Sequence, residues 1–276
     1  MKKVFITGAN KGIGFATAKL LLQKGYYVYL GSRNFHNGIS AIQELKADGL
    51  KNVECVQIDV TKDSSVKSAR ELLSKKTDVL DVLINNAGVG ITGPVEETPT
   101  PEIRNAFETN FYGPINVCKA VLPVMRKQND GLIINVTSIA GYMGLPYRGI
   151  YSASKAALEI ATEAFRMEVK GFNIKMTCVA PGDFATNIAA GRYHAPVLDN
   201  SPYKEPYGDS LKLMDEHVDA GQDPDMMAKA VLKIIKDKAP KGHYKVGELL
   251  QKASIVLKRI LPDKTYERML MNHYKL

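Results

Sequence analysis

The sequence predicts a doubly wound α/β fold, in which a parallel sheet of about seven strands carries helices on both faces. Three observations lead there. Short β-rich runs alternate with amphipathic helical runs along the whole chain, the pattern of repeated strand–helix units. Two of the runs, VLINN ending at Asn86 and LIINVTS ending at Ser138, are apolar at every alternate face, as a central parallel strand covered on both sides must be. The first run opens directly into a glycine-rich turn and then a helix. With 276 residues the chain can bury one substantial core, so the expectation is one domain over 1–276.

In chain order, strands are expected at Lys3 to Thr7, Tyr27 to Ser32, Val53 to Asp59, Val79 to Asn85, Leu132 to Ser138, Ile174 to Ala180 and His243 to Val246. Helices fall between them at Phe15 to Lys24, Ser40 to Asp48, Ser64 to Lys75, Glu102 to Lys127, Ile150 to Lys170 and Pro224 to Lys238. From Pro181 to Gln222 the chain is rich in Pro, Gly, Asn and Asp and too long for a plain connection. A partly helical flap over the sheet's carboxyl edge, at about 183–222, fits it. A helical extension follows at about 248–276.

A formal charge of +8 admits nucleic acid as a partner, but no nucleic-acid motif accompanies it and the lysines are spread among acids on helix faces. The chain contains no run of eighteen apolar residues, and MKKVFITGAN enters its glycine turn before a signal-peptide core can develop; a cytoplasmic protein is expected. Cys55, Cys118 and Cys178 each sit in an apolar run, as buried free thiols do, and no metal site is expected. The sequon at Asn135 falls inside a buried strand and is a poor glycan acceptor.

The chemistry begins in Thr7-Gly8-Ala9-Asn10-Lys11-Gly12-Ile13-Gly14. Glycines at this junction permit a tight turn, let backbone approach a pyrophosphate and leave a helix N-terminus open to anionic oxygen. The spacing is Gly-x-x-x-Gly-x-Gly. At the end of the second strand, where an acid would select the ribose 2′-hydroxyl, the chain reads Ser32-Arg33-Asn34; Arg33 and Lys11 could converge on a 2′-phosphate, so NADP(H) is preferred over NAD(H). Asp59-Val60 follows the third strand, where the carboxylate could receive an adenine amino group or cap the next helix. Asn86-Ala87-Gly88 ends the fourth, with small residues that let backbone pass close to a ribose. Tyr151 and Lys155 stand four apart and would share a helix face, where a fixed cation favours phenolate and makes the phenol a usable acid and base.

Together, TGANKGIG at Thr7 to Gly14, Asp59, NNAG at Asn85 to Gly88, Asn110, Ser138, Tyr151-x-x-x-Lys155 and Pro181-Gly182 with Thr186 behind it resemble the short-chain dehydrogenase/reductase family, in that family's order and over nearly the whole chain. The resemblance implies a single Rossmann-like domain, assembled as a homodimer or homotetramer. It implies a proton donor at Tyr151, a cation at Lys155 that also holds the nicotinamide ribose, a hydrogen bond to the reacting oxygen from Ser138, and a water relay to Lys155 through Asn110. Pro181, Gly182, Phe184 and Thr186 would seat the nicotinamide. NNAGVGITGPVEE and GYMGLPYRGIYSASKAALE look like the hydroxysteroid and retinol dehydrogenase branch.

Walls for a substrate are expected from Val89 to Val95, Ile139 to Arg148 and Phe184 to Pro202, and these loops are mostly apolar, which favours a bulky ketone or alcohol over a sugar or short acid. The segment from Lys252 to Leu276 alternates apolar and basic positions at helical spacing; a closing helix on the cavity or a partner subunit is favoured over a membrane-seated one. The reading from another class is an NADPH-binding sensor or scaffold without catalysis, which would have no need of Asn110, Ser138, Tyr151 and Lys155 together.

Overall fold

The structure is a computed structural model that describes residues 1–184, 191–219 and 222–276, with the side chains of 215–219 left aside. Nine strands and ten α-helices are placed among them: β1 (Lys3–Ile6), α1 (Gly12–Gln23), β2 (Tyr27–Ser32), α2 (Phe35–Ala47), β3 (Val53–Gln57), α3 (Asp63–Lys76), β4 (Val82–Asn85), β5 (Ile91–Thr92), α4 (Thr100–Phe107), α5 (Gly113–Gln128), β6 (Gly131–Val136), α6 (Gly149–Glu168), β7 (Ile174–Pro181), β8 (Tyr193–His194), α7 (Lys204–Asp219), α8 (Pro224–Lys236), β9 (His243–Val246), α9 (Leu249–Ile260) and α10 (Asp263–His273).

Seven strands form one parallel sheet in the order β3-β2-β1-β4-β6-β7-β9. Its two faces are buried by alternate residues of the same strands. Val4, Ile6, Val28, Leu30, Val82, Ile84, Leu132 and Ile134 pack on one side with Ala18, Leu21 and Leu22 of α1 and with Met227, Val231 and Ile234 of α8. Phe5, Tyr29, Leu83 and Ile133 point the other way, onto Val66 and Leu73 of α3 and Val117, Val121 and Met125 of α5. The period of two explains why these runs look apolar throughout: each face has its own helix layer.

Strand order reverses between β1 and β4, so the chain leaves the carboxyl ends of these two toward opposite faces and a crevice opens between the connections, the usual ligand position in such a sheet. A small parallel pair, β5 with β8, stands apart from the main sheet and was not signalled by the sequence. It ties the segment after β4 to the stretch expected as a flap, which also carries α7.

Two expectations change in detail. The fourth strand starts at Val82 rather than Val79, because Thr77 turns the chain through hydrogen bonds with Val79. The run Glu102 to Lys127 is not one helix: a π-helical turn, Glu108–Tyr112, separates α4 from α5. The latter stops at Asn129, whose left-handed backbone (φ 52°) suits asparagine at a helix end. No helix among the described residues is long and apolar enough to cross a membrane.

Ile133 lies fully buried at the middle of the sheet. Ile133→Ala should lower unfolding stability by about 2–5 kcal/mol, read as a fall in the urea midpoint at unchanged slope. A loss below about 1 kcal/mol would show that the second helix layer is not packed on it as described.

Candidate active site

Two cavities lie at the carboxyl edge of the sheet. The first, about 220 Å³, runs across the crevice between β1 and β4 and is lined by Gly8, Asn10, Lys11, Gly12, Ile13, Arg33, Asp59, Val60, Asn86, Ala87 and Gly88, with Val89, Thr109 and Gly191 closing it. Its shape depends on glycine. Gly8 and Gly12 take φ of 63° and 57°, and a Cβ on Gly14 would stand 2.5 Å from Asn86 Nδ2 and 2.6 Å from the Gly8 carbonyl oxygen. Asn86 holds the opposite wall, its Nδ2 donating to the carbonyls of Thr7 (3.0 Å) and Gly8 (2.9 Å). At the start of α1 the cap residue Lys11 makes no side-chain cap bond, so the first turn keeps N–H groups for an anionic ligand.

These features fit a dinucleotide. Lys11 and Arg33 line the same cleft. Asp59 lines it too, while its Oδ1 accepts from the Thr61 N–H (3.1 Å) and hydroxyl (2.7 Å), so the carboxylate shapes its own turn rather than capping α3. Ser32 is buried and spends its hydroxyl on the Asn34 carbonyl at 2.8 Å, which fixes the turn that presents Arg33.

The second cavity, about 430 Å³, begins at Ser138 and runs outward between the segment 139–148 and the C-terminal helices. Met143, Leu145, Leu250, Leu257, Met269 and Leu270 supply its apolar walls; Arg148, Asp183, Gln251, Tyr266, His273 and Tyr274 supply the polar groups.

Between the cavities stand the residues expected to react. Ser138 stands two residues past the end of β6 and its Oγ accepts from the Ala140 N–H at 3.1 Å, which sets the hydroxyl at the inner end of the larger cavity. α6 starts at Gly149, as the Tyr-Lys spacing requires, and brings Tyr151 and Lys155 onto one face. The Lys155 ammonium is buried, donates to the Val136 carbonyl at 3.2 Å, and lies against Gly88, whose added Cβ would be 3.2 Å from both Lys155 Nζ and Asn110 Oδ1. Burial pushes the Lys155 pKa down; Tyr151, Glu159 and Cys178 nearby act to raise it.

Asn110 is completely buried in the π turn. Its Oδ1 accepts from the Val89 N–H (2.9 Å), and its Nδ2 donates to the Val89 carbonyl (2.9 Å) and to Ser154 Oγ (3.1 Å). The side chain therefore pins the Gly88-Val89 backbone to α6. The extra residue in a π turn shifts the helix register, and such turns recur where a helix must serve a site.

Arg148 was expected only as a charge on a cavity wall. Its guanidinium in fact lies over the Tyr151 ring, 5.5 Å from the centroid, and 3.9 Å from Asp183 Oδ1. Burial opposes its charge, but Tyr274, Asp183 and Tyr151 around it outweigh that and hold its pKa above the ordinary value. Asp183 in turn accepts from Gln251 Nε2 of α9 at 2.9 Å.

Some expected positions fall elsewhere. Phe184 packs in the core cluster and bridges to Gln222, lining neither cavity, since an aromatic ring there is buried by α8. Pro181 completes β7 against Val246, and Gly182 faces the larger cavity, where an added Cβ would lie 1.9 Å from Gln251 Oε1. Thr186 and Ile188 lie outside the described residues. Of the three loops expected to wall a substrate, 139–148 does so, Val89 instead faces the first cleft, and Val95 is 63% exposed. His194, within the third of these loops, lies in β8 with Nδ1 3.0 Å from Thr92 Oγ1. The C-terminal helices supply most of the outer wall. The sequence shows their amphipathic spacing but not where that spacing packs.

The thiols are free, with Cys118 and Cys178 buried. Burial pushes Cys118 up to about 12. Asn135 donates to Thr162 Oγ1 at 2.8 Å inside the core, out of reach of glycosylation.

The family model described as short chain dehydrogenase matches residues 2–196. A 3-ketodihydrosphingosine reductase of Bacteroides thetaiotaomicron is 38% identical over 274 residues, covering 99% of this chain and 98% of that protein. Among solved structures, a short-chain dehydrogenase from Streptomyces avermitilis superposes with a TM-score of 0.83 at 27% identity, covering 100% of this chain and 97% of the other. An alcohol dehydrogenase from Thermococcus sibiricus complexed with 5-hydroxy-NADP gives 0.75 at 25% identity, covering 90% of this chain and 97% of the other.

Gly14→Ala tests the first cleft. The added methyl has backbone and Asn86 in its way, so dinucleotide affinity, measured by titration calorimetry with NADPH, should fall tenfold or more while far-ultraviolet dichroism is retained; unchanged affinity would show that this turn does not carry the cofactor.

Proposed function

Because the chain belongs to the short-chain dehydrogenase family, we propose that it is an NADP(H)-dependent oxidoreductase acting on a carbonyl or alcohol of a bulky, lipid-like substrate. The observation that carries this reading is the position of Ser138, Tyr151 and Lys155 between a glycine-floored cleft and a larger apolar cavity. A nicotinamide bound in the cleft supplies or accepts the hydride. The chain's own residues do the rest. Ser138 Oγ and the Tyr151 hydroxyl hold the substrate oxygen; as its carbon takes hydride, the oxygen takes the phenol proton, and in the reverse direction the phenolate removes a proton from the alcohol. Lys155 supplies the fixed positive charge beside the phenolate that forms, in a site where charges act across little water. Asn110, pinned to Val89 and Ser154, would help hold a water leading to Lys155.

The choice of NADP(H) rests on Lys11 and Arg33 lining one cleft, with no acid at the end of β2. For the substrate, the Bacteroides relative is named for a sphingoid ketone, and we take that class for this chain ahead of the steroid and retinoid classes. Flexible, unbranched or γ-branched walls such as Met143, Leu145, Leu257 and Met269 suit an aliphatic chain. A homodimer or homotetramer is part of the same reading: Ile160, Ala164 and Met167 form an exposed stripe on α6.

The direct test is NADPH oxidation against a panel of sphingoid, acyl, steroid and retinoid ketones, with the sphingoid ketone expected to turn over fastest. Tyr151→Phe should lower kcat by about 10²–10⁴ with NADPH affinity nearly intact; a variant that keeps most of its rate would remove Tyr151 from the mechanism. Separately, Arg33→Asp should weaken NADPH about tenfold or more relative to NADH, and an unchanged ratio of the two affinities would overturn the assignment of the 2′-phosphate site.

A further inference from the structure

The C-terminal helices close the larger cavity, as one expectation held, yet they leave an apolar surface uncovered. On α9, Leu249, Ala253, Val256 and Ile260 follow one another at helical spacing and all face solvent; Leu249 is 83% exposed and Ile260 68%. A helix of a soluble domain ordinarily turns such a stripe inward, and here the inward face is taken by Ile255. Round the helix from the stripe, one border carries Lys252 and Arg259 and the other carries Leu250 and Leu257, which line the cavity. The basic border, the exposed apolar stripe and the cavity wall therefore lie side by side on a single helix.

Its neighbour α10 also carries exposed apolar side chains. Met269 and Met271 are exposed, and Met269 also lines the cavity. From Leu249 to Leu276 the chain holds six basic side chains, Lys252, Lys258, Arg259, Lys264, Arg268 and Lys275, against two acids, Asp263 and Glu267. Lys258 is paired with Asp263 at 3.3 Å and lies over the Tyr266 ring; among the described residues the other five make no ion pair.

We propose that the outward face of α9, with the adjoining end of α10, seats on an anionic lipid bilayer, and that the larger cavity is filled from that bilayer. The basic border would meet the headgroups while Leu249, Val256 and Ile260 enter the acyl boundary, the arrangement of an interfacial amphipathic helix. With Leu250 and Met269 both at the cavity wall and beside this face, an apolar chain can pass from lipid to Ser138 without crossing water. The docking surface stands on the exposed stripe and the charge; the path of the substrate rests on the apolar-substrate reading above. A second copy of this chain is the other occupant such a stripe could take, but Lys252 and Arg259 on its border would then be brought near their own symmetry mates and repel them.

The test is co-sedimentation of the full chain with vesicles of phosphatidylcholine alone and of phosphatidylcholine mixed with phosphatidylglycerol. Binding is expected to the mixed vesicles, to weaken in high salt, and to be poor on neutral ones. Leu249→Ser, Val256→Ser and Ile260→Ser combined, and separately Lys252→Glu with Arg259→Glu, should each lower the partition coefficient tenfold or more. None of these five side chains lines a cavity, so turnover of a water-soluble ketone without lipid should stay at the wild-type level and shows that the variants fold. Wild-type protein left in the supernatant, or variants that sediment like wild type, overturn the proposal. So does a triple variant whose only change is loss of a dimer in size-exclusion chromatography. Sedimentation needs no turnover, so vesicle binding by a chain inactive on the whole ketone panel would separate failure of the proposed function from failure of this one.

Discussion

The site is organised by one constraint, a lysine amine buried beside a phenol. Taking Lys155 out of water costs several kcal/mol unless neighbours offset it, and its pKa is held down by that burial. Three things act against the cost. The Val136 carbonyl accepts from Nζ at 3.2 Å at the very end of β6. Tyr151 lies one turn back on α6, and Glu159 one turn on. Glu159 is itself buried and would be no help unpaired; Thr137 donates to one of its oxygens and His243 Nδ1 contacts the other at 2.7 Å, with Glu163 at 3.1 Å from the imidazole's far nitrogen. The buried face of α6 thus reads Ser152, Ser154, Lys155, Leu158, Glu159, Thr162, a polar lane where most helices carry an apolar one. The strands β6, β7 and β9 supply its partners, which ties the edge of the sheet farthest from β3 to the chemistry.

Legibility followed how local each signal is. The glycine turn could be read because a positive φ at Gly8 and Gly12 and the crowding at Gly14 are constraints on residue type that leave a mark in the sequence. The Tyr151 to Lys155 pair could be read because helical spacing alone places it. The strands were visible because both faces of each are apolar, though β4 begins three residues late, where Thr77 bonds back to the chain. The π turn at Glu108–Tyr112 was not visible: one extra residue in a helix ladder costs little locally, and what holds it is Asn110 reaching Val89 and Ser154, both distant in sequence. Arg148 over Tyr151 and Phe184 within the core escaped for the same reason, since their partners come from elsewhere in the chain.

The substrate side was the least legible part, and the cause is physical. A cavity wall and a core face draw on the same apolar residues, so Leu250, Leu257 and Leu270 carry no mark that separates lining a cavity from filling one. Exposure separates them, and it appears only when the chain is folded. Gly182 shows the coupling: it closes so tightly on Gln251 that α9 and the end of β7 are fitted to each other, and Gln251 also holds Asp183, which stands near Arg148 and so near Tyr151. The wall of the larger cavity is thereby joined to Tyr151.

That joining bears on whether the chain is an enzyme or only a dinucleotide-binding scaffold on the same fold. A scaffold needs the glycine turn, Asn86 and the cations at the cleft; all of these lie on the β1 and β4 side of the sheet and are complete there. It has no use for a buried Lys155 or Glu159, for a guanidinium stacked on Tyr151, or for a cavity of about 430 Å³ ending on Ser138. Buried charges are among the more destabilising features a core can hold, and mutation removes them readily where nothing depends on them. Here each is compensated by residues from separate strands, the arrangement that proton transfer at Tyr151 would need.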